Sequence, residues 1–447
     1  MSADLAGDIG IGLDGGGELS QPSDNNLQSN NEDVCLDEEE YTELTKETLL
    51  LIENNDPSIT SLKLKGDDSE LYSVWRRVHN AIGNNTHIKR FEISNYLDSD
   101  LCYGIANNRS IQHLELIEIY DLSEEMLSIL SPIFENNDVR SLHIIQCEIG
   151  GTQNKDSDSV TAAIASTLSK FNTLTSFNLA ANHFEEVQSA KIVGALRGHP
   201  NLADIDLGMN YLGEKGCMEL GKVLKVCKVK KLNLGYCDID NECAAILVNA
   251  VQGNTTLKEL ALDGNNGDYH DDDLLDTTSW EAILSLLTSV PLEDFSVYNT
   301  NIIDEGALIL ADKLTNNSTL KSLNLGSTHF LGPSGWRAIF TGLQTTSALE
   351  KLVITETRGI NDSHLPILWN VIKNCPLKEL EINNCPHAAY SDSISAQGLQ
   401  AMAHMLECPD CKLEKLHLRG EHHFNDDVIT EFVRRLVDMP EGTWHQQ

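Results

Sequence analysis

Apolar residues along this chain follow two alternating rhythms. One is a short L-x-x-L-x-L phrase, as in TLKELALD (256–263) and TLKSLNLG (319–326). Alternation in L-x-L is the period of a strand whose apolar side chains all face one way. The other rhythm is helical. EGALILADKL (305–314) places Ala307, Leu310, Ala311 and Leu314 at i, i+3, i+4 and i+7, and GCMELGKVL (216–224) and SWEAILSLL (279–287) follow the same spacing. The pattern predicts a strand, then a helix, repeated along the chain.

Aligned on the middle apolar residue of the phrase, thirteen copies stand out. Their anchors are Leu62, Phe91, Leu114, Leu142, Phe177, Ile205, Leu232, Leu260, Phe295, Leu323, Leu352, Leu380 and Leu416. Most successive gaps lie within one residue of 28, and three stretch to 35 or 36. The helical stretches stop at Asn pairs such as Asn54-Asn55, Asn84-Asn85, Asn107-Asn108, Asn136-Asn137 and Asn316-Asn317. Asn tolerates the left-handed conformation that ends a helix, so these pairs are expected to be left-handed caps. Five residues beyond the anchor the chain reads Cys147, Asn182, Asn210, Cys237, Asn265, Thr300, Thr328, Thr357 and Cys385 in nine copies. There the backbone leaves the strand, and short polar side chains are expected to satisfy its buried groups.

One strand–helix unit cannot bury its own apolar face, whereas stacked neighbours share a core. Helices are wider than strands, so the stack bends with strands inside. With its period near 28, its Asn/Cys position and its long helical segment, the chain resembles the leucine-rich-repeat family, in its ribonuclease-inhibitor-type subclass. The resemblance covers roughly residues 36 to 440 and implies an α/β horseshoe-shaped solenoid of about thirteen repeats. Parallel strands would line its concave face and helices its convex face. It speaks for fold and not for function.

Four segments follow. Residues 1–34 are Gly-, Asn- and acid-rich and read as a disordered acidic tail. Residues 35–58 hold an expected N-terminal capping helix within DEEEYTELTKETLLLIENN (37–55), 59–424 the repeats, and 425–447 a C-terminal capping helix and tail. The three long gaps mark insertions at 147–159, 263–279 and 384–398, all after a strand and before a helix. That phase puts them on one rim of the concave face, where insertions mark a binding surface or neutral loop drift.

Charge changes the picture. Asp and Glu number 68 against 32 Lys and Arg, a net charge of −36. Nucleic acid and anionic membrane both need a basic surface, so neither is an expected partner. The eleven cysteines are scattered, with Cys102, Cys217, Cys227 and Cys243 inside apolar helical stretches. That usage suits a reducing compartment, the cytoplasm or the nucleus. On the expected inner face the middle repeats carry Asp204 and Asp206, Glu259 and Asp263, Asp294, Ser296 and Tyr298, with Tyr236 just past the strand of the seventh copy. Lys63, Lys65 and Arg90 flank them near the start, and Lys351, Lys415 and Arg419 near the finish. An acidic middle with two aromatics fits a basic protein segment. Lys231 and Lys351 interrupt it, so cross-strand ion pairs are a competing account of the same pattern.

Motifs for chemistry are missing. The chain has no nucleotide-binding G-x-x-x-x-G-K-[ST], no G-x-S-x-G and no H-E-x-x-H. A calcium loop read from Asp263 fails at Asp268 and Leu274, where Gly and an acid are needed. Cys408-Pro409-Asp410-Cys411, with Cys385 and His387 one repeat earlier, has zinc-like spacing, but repeat positions already explain Cys408 and Cys385. The basic run KVLKVCKVKK (222–231) falls at a helix end, where the dipole favours cations. No catalytic residue, cofactor, metal or small-molecule substrate is expected. The reading is a non-enzymatic scaffold whose inner arc of roughly 60 Å is long enough to grip a protein. An alternative rests on resemblance alone: the Ran GTPase-activating proteins are similar, with repeats of this type and an acidic tail, which implies a regulator of a small GTPase.

Overall fold

The computed structural model describes residues 41–66, 75–136, 138–150, 156–265, 275–384, 394–408 and 411–418. Within them, fourteen short strands form one parallel sheet in strict chain order. The first seven are β1 (Thr42–Glu43), β2 (Ser61–Lys65), β3 (Arg90–Ser94), β4 (His113–Ile117), β5 (Ser141–Ile145), β6 (Ser176–Asn178) and β7 (Asp204–Asp206). The rest are β8 (Lys231–Asn233), β9 (Glu259–Ala261), β10 (Asp294–Ser296), β11 (Ser322–Asn324), β12 (Lys351–Thr357), β13 (Glu379–Asn384) and β14 (Lys415–Leu418). Helices between the strands form a second, outer layer, each packed on the next. The expected α/β leucine-rich-repeat solenoid is the observed fold.

The thirteen anchors form one row across the sheet, Leu62 beside Phe91 and so on to Leu416. The first twelve are at most 4% exposed, and Leu416, at the end of the stack, is partly buried. One continuous apolar core runs between the layers from Leu44 to Leu413. Insertion-bearing segments leave β5, β9 and β13 and enter the helices Ser157–Leu168, Thr277–Leu284 and Ala396–Leu406, so all three join the same edge of the sheet. Residues 151–155, 266–274 and 385–393 of these insertions lie outside the described residues, as do the tail 1–34 and the capping segment 425–447.

Two local expectations need correction. The start of the array is a strand followed by a short helix, Lys46–Glu53, in place of one helix from 37 to 55. Leu44 donates its N–H to the Lys63 carbonyl at 3.0 Å, which keeps Thr42–Glu43 extended beside β2. Thr45 then caps the helix, its hydroxyl accepting the Thr48 N–H at 3.2 Å. The SWEAILSLL helix breaks at Ser285, whose hydroxyl donates to the Ala282 carbonyl at 2.6 Å.

The position five beyond the anchor does the work expected of it. Asn210 Nδ2 donates to the carbonyls of Leu179 and Leu207, both at 3.0 Å, and its Oδ1 accepts the Phe184 N–H at 3.1 Å. Asn182 and Asn265 repeat this stitch between consecutive coils. The Cys237 thiol donates to the Leu207 carbonyl at 3.2 Å, and Thr300 and Thr328 bond within their own turns at 2.8 Å.

The Asn pairs at helix ends split into two roles. Asn55 and Asn316 are left-handed, with φ of 53° and 60°. The second Asn of three of these turns is a hub, buried in the case of Asn85 and Asn108 and partly buried in that of Asn317. Asn108 Oδ1 accepts the N–H groups of Ser110 and Ile111 while its Nδ2 donates to Ile82 and Asn85 of the preceding coil. Asn85 and Asn317 follow the same scheme. A left-handed row does exist elsewhere. The residue four beyond the anchor has positive φ in ten consecutive copies, from Asn95 through Glu356, and Gly264 is the glycine among them.

Candidate functional site

Register brings the predicted acids together. Asp204, Lys231, Glu259 and Asp294 sit side by side on β7 to β10, one residue before the anchor. Asp206 begins a second row, one residue after the anchor, that continues through Asn233, Ala261 and Ser296. Neighbours in such a row are about 4.8 Å apart. Asp263, Tyr236 and Tyr298 occupy the turns immediately beyond these strands.

The carboxylates differ in what holds them. Glu259 forms an ion pair with Lys231 at 3.0 Å, which confirms the cross-strand account for that residue. Asp204 and Asp294 flank this pair and have no cation within ion-pair distance among the described residues. Burial pushes the Asp204 carboxyl up to about 6 against the pull of Lys231, and raises Asp294 as well. The weak contact from the Ser176 hydroxyl to Asp204 spans 3.4 Å.

Asp206 and Asp263 also serve the backbone. Asp206 Oδ1 accepts the Gly208 N–H at 2.9 Å, closing the turn as Asn178, Asn233 and Asn324 do at the same position in other coils. In the tenth strand that position is Ser296. Asp263, from the neighbouring coil, closes that turn instead, accepting the Tyr298 N–H at 2.7 Å and the Ser296 hydroxyl at 2.5 Å. Burial raises both carboxyls, Asp263 to about 6.

Both tyrosines lie over glycines. Tyr236 takes the left-handed conformation, φ 56°, and its ring covers Gly264, where an added Cβ would stand 2.2 Å from Cε1. Tyr298 covers Gly326 in the same way, with a corresponding separation of 2.7 Å. The Tyr298 hydroxyl donates to Glu356 Oε2 at 2.9 Å. Burial is the main reason its phenol is raised to about 12. Sequence reasoning missed Glu356 and the glycine floors. A glycine next to the turn position that faces a neighbouring tyrosine was the available signal.

The expected basic flanks are largely neutralised. Lys63 pairs with Glu92 at 2.6 Å, Lys65 with Glu43 at 3.5 Å, and Lys351 with Glu379 and Glu381 at 3.2 and 3.5 Å. Arg90 stacks over the Tyr41 ring, 5.3 Å from its centroid, and Tyr41 donates to Glu115 at 2.9 Å. His143, buried between the hydroxyls of Ser141 and Ser176, is pushed down to about 4 by that burial and by Arg90. Arg419 lies outside the described residues. The middle of the face thus keeps an excess of carboxylate that the ends lack.

Among the described residues no group of three or more His, Cys, Asp or Glu is arranged to hold a metal. The sequences HFNDD (423–427) and GDYHDDD (267–273), together with Cys385, fall largely or wholly outside them. A shallow cleft of about 580 Å³ lies on the convex side, between the helices Asp304–Leu314 and Pro333–Leu343, and none of the seven candidate residues lines it. No helix among the described residues is long and apolar enough to cross a membrane.

The chain is 29% identical over 257 residues to the ribonuclease inhibitor of Sus scrofa, covering 56% of this chain and 52% of that protein. It is 23% identical over 262 residues to the Rho GTPase-activating protein gacW of Dictyostelium discoideum, covering 56% of this chain and 22% of that protein. The crystal structure of the yeast Rad7 and Elc1 complex superposes with a TM-score of 0.51 at 15% identity, over 75% of this chain and 76% of the other, a likeness of fold alone. No protein-family model matches the chain. The chain spans about half the length of the ribonuclease inhibitors it matches. Fold, repeat period and relatives together define the class: this is a leucine-rich-repeat solenoid similar to the ribonuclease inhibitors.

Proposed function

We propose that the protein is an intracellular interaction scaffold, without chemistry of its own, that binds a partner protein with a basic surface on its concave face and the adjoining insertion edge. One observation carries this reading. Asp204, Asp206, Glu259, Asp263 and Asp294 cluster about Lys231, the one cation that the described strands place among them, and burial raises four of the five carboxyls although each stays partly exposed. A desolvated carboxylate with no cation gains from a lysine or arginine that docks against it. Tyr236 and Tyr298 add large flat rings beside the acids, the kind of anchor that dominates interfaces. A standard interface needs only about 800 Å² on each side, which an arc of roughly 60 Å supplies.

The test is capture from lysate at low and high salt, followed by affinity measurement with the captured partner. Replacing Asp204 and Asp294 by Asn is expected to weaken binding by about 2 kcal/mol or more, some thirtyfold. Unchanged affinity sinks the docking face. A second reading, regulation of a small GTPase, is favoured by one observation, the similarity to a protein named as a Rho GTPase-activating protein. Acceleration of GTP hydrolysis by purified small G proteins would establish it, and its absence across them would leave the scaffold.

A further inference from the structure

A basic ledge runs along the edge where the strands begin, opposite the insertions. Here the helix Gly213–Val226 ends and the chain turns into β8. Lys225, Lys228 and Lys230 are all exposed, and among the described residues none has an acid within ion-pair distance. Nearby charges are spoken for. Arg197 and Lys222 share Glu219 at 3.6 and 2.6 Å, and Glu293 holds Lys258 and Lys321 at 3.0 and 2.7 Å. The helix dipole accounts for a cation in the last turn, Lys225, but its pull fades beyond that turn. Lys228 and Lys230 stand outside the helix. In a chain of net charge −36, three such lysines within six residues run against the composition.

A complementary occupant belongs to the same chain. Residues 1–40 carry eleven Asp and Glu and no Lys or Arg. They join Tyr41, which enters β1 on this same edge and is held there by Glu115 and Arg90. From β1 to β8 is seven strand spacings, about 34 Å. If these residues behave as the disordered chain their Gly- and Ser-containing composition leads one to expect, a stretch of 33 to 37 of them has a root-mean-square reach of about 32–33 Å. That length separates Tyr41 from Asp8 and Asp4, and a tether matched to its span holds the local concentration near the millimolar range. We propose that the acidic segment 1–40 docks on the ledge at Lys225, Lys228 and Lys230 through its distal acids, Asp4 to Asp24. The contact stands independently of whether the concave face binds a partner.

The test is zero-length carbodiimide cross-linking of the full chain, with peptide mapping of the monomer. Amide links are expected from Lys225, Lys228 and Lys230 to acids between Asp4 and Asp24. Their yield should fall about tenfold at about 1 M salt, where the Debye length is about 3 Å. The variant K225Q/K228Q/K230Q, checked for native circular dichroism, should show links spread thinly over other lysines. Links that reach the exposed Lys191 and Lys373 as often as the ledge overturn the proposal. So do links confined to a dimer, which would make a second copy the occupant. The salt series uses the unaltered chain, so the test survives a variant that fails to fold.

Discussion

Asp204→Asn should make the protein more stable and its partner binding weaker. The carboxyl of Asp204 is raised to about 6 by burial, net of the attraction from Lys231. An unfolded Asp titrates near 3.9, so about two units separate the states, a ceiling of about 3 kcal/mol. The side chain is only partly exposed, and an amide buried in the same place gives back about 1 kcal/mol. A net gain of about 1–2 kcal/mol at pH 7.5 is expected. The sign follows from proton binding. The folded pKa is raised, so the folded state holds the proton more tightly, and the penalty on the ionised form is complete above pH 6 and fades toward pH 4. At pH 4.5 about one third of the penalty should remain, roughly what the buried amide gives back, so the net gain should fall close to zero. Urea unfolding of both proteins at the two pH values, read by circular dichroism, measures it, with other titrating groups cancelling in the difference. A variant less stable than the parent at pH 7.5, or one with the same gain at both pH values, refutes the reasoning.

Other substitutions probe separate links of the argument. Gly264→Ala should cost about 2–3 kcal/mol through its clash with the Tyr236 ring, since Ala181 and Met209 take the same left-handed conformation without glycine. Adding Tyr236→Ala should recover most of that loss in thermal melts, and no recovery would shift the cause to the backbone. Asn210→Ala removes donors to the carbonyls of Leu179 and Leu207 and the acceptor for the Phe184 N–H. A loss of about 3 kcal/mol is expected in denaturant titrations. Partner affinity should fall as the pH drops below 6, because Asp204 and Asp263 then bind protons that a docked cation must displace. Isothermal titration at pH 5 and pH 7.5 checks it, and equal affinities would remove these carboxylates from the interface.

The fold was legible because a strand row tolerates no slip. Moving the register by one residue would turn Leu232 or Phe295 out to water, so thirteen anchors at near-constant spacing already specify which residues pair. The Asn/Cys position was legible for a similar reason, since buried carbonyls at a fixed place in every coil demand a donor there. The start of the array was less so. Thr42 and Glu43 have no L-x-L phrase, and only the free edge of β2 recruits them. At the candidate site, sequence identified the right face but not the division of labour along it. Asp206 and Asp204 are two residues apart and read alike, yet one closes a turn on Gly208 and the other meets only a distant hydroxyl. Which acid a neighbouring coil will employ depends on what that coil lacks, as Ser296 shows by leaving the Tyr298 turn to Asp263.

That division bears on where selection for binding would be visible. Asn performs the turn-closing task at Asn178, Asn233 and Asn324 with bonds of 2.8 to 3.0 Å, so the charge of Asp206 is not needed for the turn it closes. Burial works against that charge. Asp204 and Asp294 do not even have a turn to close. Asp204, Asp206 and Asp294 thus stand where a neutral side chain is expected to fold as well or better, and under the proposed function these are the acids that a cationic partner would use.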